Sequence, residues 1–218
     1  LVYIDATVGW RSIHQSTFAD VGSDTKFVTA SGGNATLTNG NFKTHIFTGP
    51  GTFTVSCAGN ACGSNTLDYF VVAGGGGGGR DNFPGCRVGA GGGAGGFRIS
   101  NSVGCLPAPA MSPLSNPTGL PVTATGYPVT VGAGGAGGEG GGCYGGVKGS
   151  NSVFTGSSTI TSAGGGGGMG HSPSADSPAA NTNGGSGGGS QGAPGPSTGL
   201  GNSPPVSPPQ GNPAGSGG

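Results

Sequence analysis

The sequence predicts an all-β protein, in which short antiparallel strands lead into a bundle of polyglycine-II (polyproline-II-type) helices and there is essentially no α-helix. Three observations carry this expectation. The 218 residues include 56 Gly and 17 Pro, with only 6% charged residues. β-prone segments of alternating character recur along the chain. Three times, a strand-like segment runs directly into a tract of glycine.

The strands are read in order. Leu1 to Trp10 places Val2, Ile4, Ala6 and Val8 on one face, the period of a strand. Phe27-Val28-Thr29-Ala30 is β-prone and stops at Ser31-Gly32-Gly33-Asn34. Residues 43–47 and 52–56 flank Thr48-Gly49-Pro50-Gly51, which predicts a hairpin across that Gly/Pro turn. Leu67-Asp68-Tyr69-Phe70-Val71-Val72 is the most β-prone run. No window places Ala, Leu, Glu and Lys at helical spacing.

Composition changes at Ala73. Nine Gly precede it and the other 47 follow. The chain is therefore divided into a β-strand region (1–72), a glycine-rich bundle with loop insertions (73–170) and a Gly/Pro/Ser-rich extended tail (171–218). The three junctions are Tyr69-Phe70-Val71-Val72-Ala73 before 74–79, Tyr127-Pro128-Val129-Thr130-Val131 before 132–138, and Ser158-Thr159-Ile160-Thr161-Ser162-Ala163 before 164–168. Their spacing is uneven, so they are a recurring unit and not a solenoid repeat.

Gly disfavours an α-helix by about 1 kcal/mol per residue relative to Ala. It suits an extended left-handed helix with ~3 residues per turn and ~3.1 Å rise, which has no internal hydrogen bonds. The backbone groups of such a helix need outside partners. Without side chains, neighbouring runs can come close enough to supply them. Residues 89–96, 145–149 and 184–189 are available as returning runs, giving an out-and-back bundle. The alternative is flexible linker, the usual behaviour of Gly/Ser tracts.

Charge and motifs exclude several function classes. Seven basic and seven acidic residues leave no net charge, and no basic surface to neutralise phosphates, so nucleic-acid binding is not expected. No apolar run approaches the ~18 residues of a membrane span, and no signal-peptide pattern is present. The start at Leu1, already inside an apolar pattern, reads as a fragment or the ordered part of a longer polypeptide. Gly132-Ala133-Gly134-Gly135-Ala136-Gly137 matches G-x-G-x-x-G, but no helix follows it. Val147-Lys148-Gly149-Ser150 fails as a P-loop. His14, His45 and His171 lack a second ligand at metal spacing. Asp20 and Asp24 read as loop residues, Glu139 is the only Glu, and nothing brings Asp5 and Asp68 together. No enzyme activity, cofactor or metal is expected.

Cys57, Cys62, Cys86, Cys105 and Cys143 are an odd set. Cys57 and Cys62 either close a small disulfide loop or stand as two small apolar residues at a turn. Phe83, Tyr144 and Phe154, with Met169 and His171, are read as lying in insertions between rods. Such residues either contact carbohydrate or protein or plug the rod ends. If the junctions are level, runs of similar length bring the residues after them to one tip. The candidate receptor-binding residues there are Phe83, Arg87, Tyr144, Met169 and His171.

A family resemblance rests on residues 43–55, followed by Leu67-Asp68-Tyr69-Phe70-Val71-Val72-Ala73 and glycines 74–79, then Gly91-Gly92-Gly93-Ala94-Gly95-Gly96-Phe97-Arg98 and Tyr127-Pro128-Val129-Thr130-Val131-Gly132. In that order, together with residues 1–10, they resemble the glycine-rich domains of tail-fibre and other structural proteins of marine tailed phages, cyanophages especially. In style the chain is similar to the polyglycine-II sandwich adhesins of T-even-like phages, whose loops carry receptor specificity. It differs from them in its long Pro-rich interruption at 105–121. The resemblance implies a non-enzymatic virion protein, a tail-fibre or adhesin segment for host attachment. A secreted extracellular filament or matrix protein is the alternative. The expected partners are further copies of the chain, as a trimer or fibre, and a cell-surface glycan or outer-surface protein.

Overall fold

Alternation of large apolar and small polar residues sets the strands, and the glycine tracts continue from their ends. The computed structural model describes residues 2–3, 10–11, 25–80, 89–102, 114–139, 144–170, 179–190 and 198–215. In chain order the elements are β1 (Val2–Tyr3), β2 (Trp10–Arg11), β3 (Val28–Ser31), β4 (Ala35–Asn39), β5 (Phe42–Ile46), β6 (Gly51–Ala58), β7 (Thr66–Leu67), β8 (Phe70–Val72), β9 (Phe97–Ser100), β10 (Ser115–Asn116), β11 (Leu120–Pro121), β12 (Gly126–Thr130), β13 (Ser152–Thr155), β14 (Thr159–Ser162) and one helical turn, α1 (Ala179–Thr182). The protein is all-β, as its sequence predicts.

The main sheet is antiparallel, in the order β14-β13-β12-β6-β3. A second sheet pairs β8 antiparallel and β10 parallel with β9. β7 pairs with β11, and β1 with β2. The core is built from alternate positions: Phe53 and Val55 of β6, Tyr127 of β12, Phe154 of β13 and Ile160 of β14, with Tyr69, Leu120 and Val122. Tyr127 stacks on Phe154 with ring centroids 5.7 Å apart, and Phe53 tilts against the same ring at 6.2 Å.

Three sequence expectations are corrected here. The hairpin across 48–51 does not form. β5 pairs with β4 and β6 with β3 and β12, because Asn39 and Phe42 close a turn at Gly40, whose φ is +56°. The run 67–72 splits into β7 and β8, since Asp68 turns aside to accept bonds from Ser100 Oγ (2.8 Å) and the Ser102 amide (2.9 Å). Phe154 lies in the core and not in a loop, at 8% exposure.

Six glycine-rich runs extend from the strands. Run 1 (73–80) leaves β8, and run 2 (89–96) leads back into β9. Run 3 (132–139) leaves β12, and run 4 (144–150) leads back towards β13. Run 5 (163–170) leaves β14, and run 6 (184–190) follows α1. The hydrogen bonds repeat every third residue. Ala73, Gly76 and Gly79 donate to Gly96, Gly93 and Ala90 of run 2, while Gly74, Gly77 and Arg80 donate to Ser150, Val147 and Tyr144 of run 4. That period is the one expected of a threefold extended helix.

The bond pattern orders the runs into two layers. Run 3 donates to run 1, and run 1 to run 2, in the first layer. Runs 4, 5 and 6 are linked likewise in the second, and bonds cross between layers throughout. Run 6 corrects one expectation: it is parallel to run 5, through Gly166 to Ser186 and Met169 to Gly189, and does not return. Strands β9 and β12–β14 rejoin the β layers after residue 73, and residues 198–215 pack beside run 6, through Gly187 to Asn212 and Gly199 to Gly188.

Candidate functional site: the far end of the glycine bundle

Run 5 sets the geometry of the bundle. Each amide from Ala163 to Met169 donates a hydrogen bond, to runs 1 and 6, Asn181, and the side chains of Gln210 and Asn151. Residues 163–170 are buried throughout. A Cβ built at Gly164, Gly165, Gly166, Gly167 or Gly168 would collide with the carbonyl of Gly149, Gly93, Thr182, Gly146 or Ala90. Glycine here is therefore required by the closeness of its neighbours.

Side chains supply partners where a run begins. Ser152 Oγ accepts from the Gly132 amide (2.9 Å), Asn151 Oδ1 from Gly164 (2.9 Å), and Gln210 Oε1 from Ala163 (2.8 Å). Gln210 is 1% exposed, and its Nε2 also donates to Pro204 O at 2.9 Å. Asn202 shapes the loop beneath it, accepting from the amides of Val206 and Gln210. The sequence gives no local pattern for these polar residues: Asn202 and Gln210 sit in a Ser/Pro-rich stretch, and Asn151 and Ser152 follow a glycine run.

The bonds Gly165 to Gly74 and Gly135 to Gly75 bring the three strand-to-run junctions to nearly the same level. The runs then end together. Arg80 donates to the Tyr144 carbonyl (2.9 Å), Gly79 to Ala90 (2.7 Å), Ala90 to Met169 (3.1 Å) and Met169 to Gly189 (3.0 Å). Side chains resume at this end: Arg80 and Glu139 are exposed and Tyr144 is 40% exposed. Met169 is at the same end but only 6% exposed, so its side chain is packed inward and is not offered to a receptor. Phe83, Arg87 and His171 lie outside the described residues.

Cys57 is half-buried on β6 and Cys62 is exposed, and no disulfide joins them. Cys86, Cys105 and Cys143 lie outside the described residues. Among the described residues no three His, Cys, Asp or Glu gather as a metal site, and no helix is long and apolar enough to cross a membrane. His45 instead packs edge-on to Phe53 and bonds Gly32 O through Nδ1 at 2.8 Å.

A family model described as "Glycine-rich domain" matches residues 47–218. The match covers the strands from β6 onward as well as all six runs. No curated protein and no solved structure matches the chain.

Proposed function

The chain belongs to the glycine-rich domain family, and from that premise we propose that it is a non-enzymatic virion structural protein, a tail-fibre or adhesin segment for host-surface attachment. One observation carries the reading. A rigid bundle without side chains along its interior ends in a small exposed group, Arg80, Glu139 and Tyr144. Chemical identity is concentrated there, and an aromatic ring among polar groups suits a glycan or an outer-surface protein. The resemblance to phage tail-fibre domains supports the same assignment and a place on the virion.

Adsorption of particles to host cells, with the native chain replaced by one carrying Arg80→Ala and Tyr144→Ala, tests it. The proposal expects a large loss of adsorption with the fold intact by circular dichroism. Undiminished adsorption by folded variant particles overturns the receptor-contact role.

A further inference from the structure

The two layers of the bundle are not equivalent on their outer sides. In the second, run 5 is covered: Asn181 accepts from Gly167, and a Cβ at Gly166 would collide with the Thr182 carbonyl. The side of the bundle next to run 6 is closed by residues 198–215, with Pro204, Pro205, Pro208, Pro209 and Pro213, which have no amide hydrogen. Among the described residues the first layer has no such cover. Gly78, Gly91, Ala94, Gly134 and Gly137 are exposed and Gly75 is half-exposed. Their amides have no partner among the described residues, and neither do the carbonyls of Gly92, Gly134 and Gly137.

Glycine at these positions is not required by the chain's own packing. A Cβ at Gly75, Gly78, Gly134 or Gly137 would meet its nearest atom at 3.6–3.7 Å, which is ordinary contact, and at Gly91 it would meet nothing. The backbone there is outside the left-handed region. Retaining Gly where a side chain would fit costs stability through the unfolded chain. Inside the bundle, glycine is found where another backbone comes close. The same need on the outer face calls for a backbone from outside the chain.

We propose that the outer face of the first layer, centred on Gly75, Gly78, Gly91, Ala94, Gly134 and Gly137, is the interface with a second copy of this chain, which lays the same face against it. The face offers both donors and acceptors, so it can complement itself about a twofold axis. Its bonding continues the layer-to-layer pattern already present between runs 1 and 4. A partner with side chains larger than the Ala94 methyl at the contact would be held too far away to bond. A twofold contact uses this one face in both copies, so the assembly closes at four layers and does not grow into a fibre. The inference goes beyond the function proposed above, and its test is independent of adsorption.

Sedimentation velocity on the purified chain is the experiment. The wild-type chain is expected at twice the 20.3 kDa monomer mass at micromolar concentration. Gly78→Lys and Gly91→Lys are expected to weaken the dimer about a hundredfold or more, with unchanged circular dichroism. Leu200→Ser, on the closed side, should leave it intact. If Gly78→Lys fails to fold, Ala94→Lys, which extends an exposed methyl group, replaces it. A monomeric wild-type chain, open-ended polymers, or a dimer indifferent to the folded lysine variants would each overturn the proposal.

Discussion

The amide nitrogen of Gly165 lies 2.9 Å from the carbonyl oxygen of Gly74, and Gly168 repeats the bond to Gly77 at 2.9 Å. These bonds tie run 5 to run 1 in parallel, and with them two strand-to-run junctions far apart in sequence. Each contributes only about 1 kcal/mol net. Stability of the bundle therefore comes from their number, and their number depends on the absence of side chains.

Gly165→Ala should destabilise the protein by about 1–3 kcal/mol or more, as overpacking does. Its Cβ would collide with the Gly93 carbonyl. Gly49→Ala is the control, because a Cβ there meets nothing and its φ is outside the left-handed region. It should be neutral or stabilising by about 0.4–1 kcal/mol. Urea unfolding of the two variants measures the contrast, and equal losses would count against the steric account.

Gln210→Leu should cost about 1–3 kcal/mol, since it strips a buried amide of its partner and removes a second bond to a loop carbonyl. The affected groups are Ala163 N and Pro204 O. Ser162→Ala should cost little or nothing. The Ser162 hydroxyl is fully buried without a hydrogen-bond partner, so removing it relieves an unmet desolvation cost. Thermal melts of the pair check both signs.

Phe154→Ala should destabilise by about 3–5 kcal/mol, the usual cost of removing a core aromatic ring. Phe53 and Tyr127 would both lose their ring partner. Loss of fixed tertiary structure by near-ultraviolet circular dichroism, at temperatures where the wild type is folded, is the expected readout.

The fold class was legible because each strand announces itself by alternation and each run by composition, and the junctions at Ala73, Gly132 and Ala163 repeat that change. Pairing was less legible. The Asn39-Gly40 step is a hairpin signal, yet the Gly/Pro turn at 48–51 is more conspicuous, and only the tertiary pairing of β6 with β3 and β12 decides between them. The direction of run 6 depends on α1, a single turn with no periodicity to detect. Gln210 looked like part of a tail because its value lies in Ala163, distant in sequence. At the candidate site, Tyr144 could be placed from the equal reach of the runs, whereas the burial of Met169 depends on packing that glycine composition does not reveal.

Amide hydrogen exchange along residues 163–169 tests the central claim most directly, that the glycine runs are ordered by bonding to one another. Every amide in this stretch donates a bond and every residue is buried. The account expects protection close to that of the global unfolding reaction, comparable with Val55 in the core strand β6. The exposed amides of Gly134 and Gly137 should exchange far faster in the monomer. Exchange at unstructured-peptide rates from Gly164 to Gly168, while Val55 stays protected, would contradict it.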